Sequence, residues 1–338
     1  MKCKIVAELS CNHRGSLERA LELVDLATTA GADAVKVQSW TPGTMVLDQA
    51  FVLRSGPWAG TNLSDLYEEA YTPWEWHKPI FDRAAAHQIQ AFASVFDVDA
   101  LIQLQDLGCE LYKVASFEIV DIPLIRAIAL TRKPMVLSTG MATREEIDQA
   151  VRAALESGAR DVTLLKCTSA YPATAADAHL ATMMTMKQAW CCPVGLSDHT
   201  PGIGVAVTAA ALGATMIEKH FTKSRAEGGP DAAFSLEPAE FAALVREVRN
   251  VEGALGQAQQ FGPTEQEKPQ RDLRRSLYFA QDLPAGVVLD GRHLATARPA
   301  MGLSPRFYGR VVGTTLKVGV RRGQPVTWDV VAGARTAA

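Results

Sequence analysis

The sequence has little of what marks a membrane, exported or nucleic-acid-binding protein. Its 338 residues contain no apolar run near the roughly 18 residues that a membrane-spanning helix needs. Its first residues enter an apolar strand pattern without the anatomy of a signal peptide. A net charge of −3 gives no electrostatic case for nucleic acid or an anionic membrane. Six cysteines are too few for a disulfide framework in a chain of this length. We therefore expect a cytoplasmic protein with reduced thiols and no nucleic-acid or membrane partner.

What the sequence does have is a regular alternation of short apolar runs with helix-length segments. Eight such pairs follow one another before residue 256, which is the size and rhythm of a (β/α)8 TIM barrel. After this point the chain becomes polar, with Gly-Pro and Lys-Pro steps, and then shows short β-type runs with turn signals. We predict a TIM-barrel catalytic domain over residues 1–256, a linker over 257–275 and a small β-rich domain over 276–338.

Local signals indicate where three of the helices begin. Thr72 is followed by proline and an acidic residue, as at an N-cap with Pro in the first helical position. Thr143 with Glu146 has the spacing of a capping box. Ser235 precedes the last long amphipathic segment of the barrel. The sequence therefore predicts N-caps at Thr72, Thr143 and Ser235.

Polar side chains concentrate where the predicted strands end, which is where barrel enzymes hold their chemistry. The predicted strand ends carry Glu8, Ser10, Lys36, Gln38, Ser94, Lys113, Ser116, Ser138, Ser169, Ser197, Asp198, His199, Glu218 and His220. Lysines and hydroxyls suit a small dianionic ligand. His199 and His220 follow neighbouring strands about 4.8 Å apart and suit a divalent metal that also takes oxygen ligands. Glu8 suits acid–base work.

Other interpretations of these residues stay open. The two histidines could be unrelated polar residues, and a strand lysine could form a Schiff base, as in an aldolase. A non-catalytic carbohydrate-binding protein is a third class, although it would not need two lysines and a histidine pair on one rim. Cys167 is interpreted as a packed thiol. Trp58, Trp74 and Trp76 either stack on a sugar or fix the long segment 40–71 to the barrel.

Seven segments together resemble the sialic acid synthase family. They are AELS (7–10), NH (12–13), GADAVKVQ (31–38), YKVAS (112–116), LSTGM (137–141), GLSDHT (195–200) and EKHF (218–221). Enzymes of this family condense phosphoenolpyruvate with an N-acylated amino sugar to form a nine-carbon ulosonic acid. The resemblance extends over nearly the whole chain and implies a terminal antifreeze-like (SAF) domain. Three further segments, at 66–77, 167–172 and 228–238, are most similar to the branch that makes pseudaminic acid.

Carried over residue by residue, the resemblance implies a role for most of the rim. His199 and His220 would hold a divalent metal, Mn²⁺ or Mg²⁺, and Glu8 would handle a proton or water. Phosphoenolpyruvate would be bound by Lys36, Lys113, Ser94, Ser116, Ser138 and Ser197. The sugar site would be lined by Gln38, Glu118, Ser169, Tyr171 and Asp231.

The resemblance also implies a homodimer in which each SAF domain covers the partner's barrel. Arg298 would reach the partner's site. The sequence departs from the family pattern at Val95, where proline is usual, and at 173–176, where a proline-rich run is usual. Within the family, synthases that make neuraminic or legionaminic acid are the alternatives to the pseudaminic branch.

Overall fold

The structure is a computed structural model that describes residues 2–47, 51–256 and 260–332. The chain divides into two compact units, Met1–Gly256 and Gln257–Ala338. Residues 257–259, at the start of the expected linker, and 333–338, at the end of the expected β-rich domain, lie outside the described residues.

Eight parallel strands close into a barrel in sequence order, and the last strand pairs with the first. The predicted barrel is thereby confirmed. The strands are Lys4–Glu8 (β1), Ala34–Ser39 (β2), Gln90–Val95 (β3), Tyr112–Val114 (β4), Met135–Ser138 (β5), Val162–Cys167 (β6), Val194–Asp198 (β7) and Met216–His220 (β8). Glu8 is in register with both Lys36 and His220. The register therefore places an acid, a lysine and a histidine side by side at the carboxyl edge.

Helices follow the strands and cover the outside of the barrel. They are Leu17–Thr29 (α1), Pro42–Met45 (α2), Leu63–Ala70 (α3), Trp74–Ala86 (α4), Val98–Asp106 (α5), Ile122–Leu130 (α6), Arg144–Glu156 (α7), Thr182–Trp190 (α8), Gly204–Ala211 (α9) and Pro238–Leu255 (α10). Their inner faces bury leucine, isoleucine and valine side chains such as Leu23, Ile128 and Leu244, each 0% exposed. Burying one such side chain stabilises the fold by about 1.5–3 kcal/mol.

One of the three predicted N-caps is confirmed and two are wrong. The Thr143 side chain accepts a hydrogen bond from the backbone of Glu146, and the capping box is present. Helix α4 instead begins after Pro73, because the Thr72 hydroxyl is held by His13 Nε2 at 2.9 Å.

The third cap, at Ser235, is replaced by Glu237, which forms a capping box with Glu240 at the start of α10. The Ser235 hydroxyl is already used inside the loop before that helix. It donates to the carbonyl oxygen of Asp231 at 2.7 Å and accepts from Asn12 Nδ2 at 2.9 Å. Thr72 and Ser235 are therefore not N-caps, because tertiary contacts already use their hydroxyls.

At one strand position the barrel has no room for a side chain larger than a hydrogen atom. A Cβ on Gly195, within β7, would lie 2.3 Å from the carbonyl oxygen of Met216 and 2.7 Å from a methyl carbon of Leu165. Such distances are below any real carbon contact, so the close approach of β7 to β8 requires glycine there.

The second unit is small and built from short strands. Ser276–Phe279 (β9) pairs antiparallel with Leu294–Ala297 (β10), and Thr315–Leu316 (β11) pairs antiparallel with Val331–Ala332 (β12). A single turn of helix, Tyr308–Val311 (α11), packs beside them. Before β9, Glu265–Leu273 forms a 3-10 helix within the polar segment. Across both units, none of the described helices has the length and apolar character to cross a bilayer.

Candidate active site

The expected site residues of the barrel lie at the carboxyl ends of its strands or in the loops that follow. Ten are buried, namely Glu8, Lys36, Ser94, Lys113, Ser116, Ser138, Ser197, His199, His220 and Asp231. Four are half-buried, namely Gln38, Glu118, Ser169 and Tyr171. Arg298 belongs to the second unit and is exposed directly after β10.

Lys36 is the charged centre of this edge. Its ammonium nitrogen lies 2.6 Å from Glu8 Oε2 and 3.6 Å from Glu218 Oε1, and it donates to Ser94 Oγ at 2.7 Å. Burial alone would lower the pKa of Lys36, but the two carboxylates raise it above its ordinary value. Burial raises the pKa of Glu8, against the attraction of Lys36. Ser197 donates to Glu218 at 3.3 Å and completes this group.

A chain of hydrogen bonds connects Glu8 to the loop after β8. Gln38 Nε2 donates to Glu8 Oε1 and to Ser10 Oγ, both at 3.0 Å. Ser10 in turn donates to Asp231 Oδ2 at 2.5 Å. Burial raises the pKa of Asp231, and its Oδ2 lies 3.6 Å from Nδ1 of His220. Ser10 thus joins the site, although the sequence indicated only that it stands at a strand end.

His199 and His220 lie side by side, with ring centroids 5.4 Å apart. Nδ1 of His199 is 2.9 Å from the carbonyl oxygen of Thr168. Because a carbonyl only accepts, this contact places a ring proton on Nδ1, so the neutral form of the ring carries its lone pair on Nε2. Burial alone would lower the pKa of His199, but Cys167 and the Thr168 carbonyl raise it above its ordinary value. Burial lowers the pKa of His220 well below its ordinary value, and the neighbouring His199 lowers it further. Within the residues that the structure describes, no three His, Cys, Asp or Glu side chains cluster as a complete metal cage.

The Cys167 thiol faces this site, where the sequence had suggested a packed thiol. Its sulfur lies 3.9 Å from His199 Nδ1 and 3.7 Å from Ser169 Oγ. Burial alone would raise the pKa of Cys167, but His199 and the hydroxyls of Ser116 and Ser169 lower it to about 7.

A second buried lysine lies across the barrel edge from the histidines. Lys113 is 2% exposed, and its ammonium donates to the carbonyl oxygen of Val114 at 2.9 Å. Burial lowers the pKa of Lys113. Glu118 lies in the 3-10 turn Ser116–Val120 after β4. Burial raises the pKa of Glu118 to about 7, although Lys113 opposes the shift.

A glycine after β5 leaves space between two serine hydroxyls. A Cβ on Gly140 would lie 2.1 Å from Ser169 Oγ and 2.7 Å from Ser116 Oγ. The amide of Gly140 donates to Ser116 Oγ at 3.1 Å. The two serine hydroxyls beside this space can donate hydrogen bonds to an oxyanion. The sequence motif LSTGM contains this glycine, but its spacing does not reveal the close approach.

Aromatic side chains form one wall beside the histidines. Tyr171 lies 4.4 Å from His199 between ring centroids, and Phe234 lies 5.0 Å from His220. Trp58 packs against Tyr171 at 5.3 Å and donates from Nε1 to the carbonyl oxygen of Pro230 at 2.9 Å. Trp58 therefore fixes its loop to the barrel at the edge of the site. Phe234 was not expected there, because nothing in its local sequence separates it from a core phenylalanine.

Comparison with known proteins places this site in a family. The NeuB family model matches residues 23–260, and the SAF domain model matches residues 274–332. A pseudaminic acid synthase of Helicobacter pylori is 38% identical over 330 residues, covering 96% of this chain and 97% of that protein. An N,N'-diacetyllegionaminic acid synthase of Campylobacter jejuni is 34% identical, covering 92% and 95%.

A solved structure agrees with these matches. The N-acetylneuraminic acid (sialic acid) synthetase of Leptospira borgpetersenii, crystallised with citrate, superposes with a TM-score of 0.72. It is 32% identical, and the match covers 80% of this chain and 90% of that one. The family predicted from the seven motifs is confirmed, and the chain belongs to the NeuB family of synthases, with an SAF domain after its barrel.

Proposed function

We propose that this protein is a pseudaminic acid synthase. It would condense phosphoenolpyruvate with 2,4-diacetamido-2,4,6-trideoxy-altrose and water, giving pseudaminic acid and phosphate. One observation carries the proposal above all: two buried lysines, the carboxylate of Glu8 and the His199–His220 pair share one barrel edge. Similarity to the pseudaminic acid synthases supports the choice of sugar.

The anionic substrate would lie over the lysines. Lys36 and Lys113 would supply the positive charges that balance its phosphate and carboxylate. Donors from the strand ends would complete the site, namely Ser94, Ser116, Ser138 and Ser197. A charge-assisted hydrogen bond of this kind contributes about 1.5–3 kcal/mol. Gly140 supports the assignment because its missing side chain leaves space beside the hydroxyls of Ser116 and Ser169.

The residues present fit a divalent metal, Mn²⁺ or Mg²⁺. His199 and His220 would hold it, because the first ring has its proton fixed on Nδ1 by Thr168 and the second is kept neutral by burial. Two protein ligands leave the remaining positions to water and substrate oxygens. When bound, the ion would supply Lewis acidity to the aldehyde oxygen of the open-chain sugar.

The remaining chemistry can be assigned to side chains of the chain itself. The lysines and serines hold phosphoenolpyruvate with its C3 facing the aldehyde carbon, and this positioning promotes formation of the new C–C bond. Positive charge then develops at C2. Glu8 accepts a proton from the water that adds to C2, and its raised pKa suits a base at neutral pH. The hydroxyl on C2 then loses its proton and becomes a carbonyl as the C–O bond breaks and phosphate leaves with the electron pair. The alkoxide formed from the aldehyde takes up the proton that Glu8 received.

The sugar would bind between the histidines and the aromatic wall. Gln38, Glu118, Ser169, Tyr171 and Asp231 would line this side. Tyr171 supports the assignment, since it stands over His199 with Trp58 packed behind it. Asp231 and Gln38 belong to the hydrogen-bonded chain from Glu8, so a sugar hydroxyl or amide there would be connected directly to the reacting edge.

We also propose a homodimer in which Arg298 of each SAF domain reaches the partner's site. The support is the exposure of Arg298 together with exposed apolar side chains after β4 and β5 of the barrel. Phe117 and Met141 are 59% and 60% exposed there, and a partner's domain over this edge would cover them. All six cysteines are free thiols, which supports placing the reaction in the cytoplasm.

A substrate panel tests the proposed function. Purified protein with Mn²⁺ and phosphoenolpyruvate is given the altrose diamide, the legionaminic precursor or N-acetylmannosamine, and products are identified by mass spectrometry. We expect turnover with the altrose diamide at least tenfold above the others. Preference for another sugar would reassign the enzyme within its family.

The Schiff-base alternative is separated by borohydride trapping. Lys36 is a poor candidate for that chemistry because its neighbouring carboxylates keep it protonated. An aldolase would be reduced onto Lys36 or Lys113, whereas the proposed synthase would form no adduct.

A further inference from the structure

A buried ion pair lies on the faces of β7 and β8 that point away from the histidines. Side chains alternate along a strand, so Asp198 and Lys219 point opposite to His199 and His220. The two are register partners on neighbouring strands. Lys219 Nζ lies 2.7 Å from Asp198 Oδ2, and the side chains are 0% and 2% exposed.

The next residue, Thr200, completes this arrangement. Asp198 Oδ1 accepts hydrogen bonds from the Thr200 amide at 2.9 Å and from the Thr200 hydroxyl at 2.8 Å. Lys219 donates a second hydrogen bond, to the Thr200 carbonyl oxygen at 2.5 Å. Lys219, Asp198 and Thr200 thus form one closed group, here termed the strand-end clamp.

The strand-end clamp fixes the backbone just after β7, where the hydrogen bonds between the strands have ended. Strand β7 ends at Asp198, so His199 and Thr200 lie beyond its regular pairing. His199 is enclosed between two clamp residues, and His220 follows the third. The loop after β6 adds one backbone contact, from the Ala173 amide to the His199 carbonyl oxygen at 3.0 Å. A single ammonium group therefore connects the backbones that carry both imidazoles.

Net stability is a weak explanation for such a group. Desolvating two charges opposes their attraction, and an apolar pair of similar volume often serves a fold equally well. Fixed hydrogen bonds do, however, define the geometry of the backbone they join. We infer that the strand-end clamp sets the separation and orientation of His199 and His220, and that Lys219, Asp198 and Thr200 are positioning residues for the metal pair. The metal part of this inference rests on the proposed function.

The test uses four variants of the full chain. Lys219→Met removes the ammonium, and Thr200→Val removes only the hydroxyl donor. Lys219→Met/Asp198→Leu replaces the ion pair by apolar side chains, so that no buried charge is left unpaired. Leu104→Ala, a fully buried position on α5, is the control for a general loss of stability.

Two measurements separate positioning from folding. The first is the ¹H–¹⁵N spectrum of the histidine side chains without metal, assigned with single histidine variants. The second is the Mn²⁺ dissociation constant from electron paramagnetic resonance. We expect the His199 and His220 signals to move in all three clamp variants, least in Thr200→Val. Mn²⁺ affinity should fall about 10- to 100-fold without the ion pair, as for other groups that orient metal ligands. Leu104→Ala should lower the melting temperature and leave both readouts unchanged.

Unchanged imidazole signals in every clamp variant that folds would overturn the inference, and Thr200→Val is conservative enough to fold. Signals that move no more than in Leu104→Ala would do the same. If the signals move but even the wild-type protein binds no Mn²⁺, the clamp stands and the proposed metal site fails.

Discussion

The ammonium of Lys36 lies 2.6 Å from a carboxylate oxygen of Glu8, and the two side chains are 4% and 1% exposed. Lys113 differs, since no carboxylate of the described residues lies within ion-pair distance of it. The two lysines should therefore respond differently to the same substitution.

We expect Lys36→Met and Lys113→Met each to weaken phosphoenolpyruvate binding at least tenfold, because each removes a charge-assisted contact. Lys36→Met should also lower the melting temperature, since it leaves buried Glu8 unpaired. Lys113→Met should not. Calorimetric titration and thermal melts measure these effects, with Lys187→Met, at an exposed position of α8, as control. An unchanged dissociation constant in both variants would count against an anion site here.

The histidine pair gives a second prediction. His199→Ala and His220→Ala should each abolish turnover and leave the far-ultraviolet circular dichroism spectrum unchanged, because these side chains stand at strand ends rather than in the apolar core. Chelation should inactivate the wild-type enzyme, and added Mn²⁺ should restore it. His87→Ala, at the exposed end of α4, is the control. Substantial activity in both site variants would exclude the metal assignment.

Gly140 gives a steric prediction. Gly140→Ala would place a methyl group 2.1 Å from Ser169 Oγ and 2.7 Å from Ser116 Oγ, so these hydroxyls must move. We expect the catalytic efficiency kcat/KM to fall at least tenfold with little change in melting temperature. Gly204→Ala is the matched control, because a Cβ there meets nothing within 4 Å. Equal kinetics for the two variants would show that the space beside Gly140 is unused.

Glu118 gives a prediction for stability against pH. Burial raises its pKa from an ordinary 4.5 to about 7, so the folded state holds this proton more tightly than the unfolded state. Between these two values the free energy of unfolding should decrease as pH rises. Glu118→Gln should flatten this slope and stabilise the protein at pH 8 by about 1–3 kcal/mol. Urea denaturation at several pH values measures it, with exposed Glu110→Gln as control. A steeper or unchanged slope in Glu118→Gln would contradict the burial argument.

The proposed dimer is tested by mixing two inactive proteins, Arg298→Ala and His199→Ala. If each SAF domain covers its partner, one site of the mixed dimer combines an intact barrel with an intact arginine, and activity should return. If each domain covers its own barrel, both sites stay defective. Native mass spectrometry confirms that mixed dimers form. Their presence without activity would show that Arg298 acts within its own chain.

Much of the candidate site follows from the sequence because a parallel barrel brings every strand end to one edge. Once the eight-fold alternation is seen, Glu8, Lys36 and His220 must converge, whatever their separation along the chain. The two wrongly predicted N-caps show what local sequence cannot predict. Thr72 and Ser235 have suitable local sequences, but distant groups, His13 and Asn12, use their hydroxyls.

The sequence by itself determined the barrel, the family and the residue types at the edge, because these depend on periodicity and on local motifs. Only the tertiary structure decided which groups pair. Lys36 binds Glu8, Lys219 binds Asp198 behind the histidines, and Phe234 faces His220. The reason is physical: strand alternation fixes the face on which a side chain lies, whereas register, loop path and burial decide what it meets there.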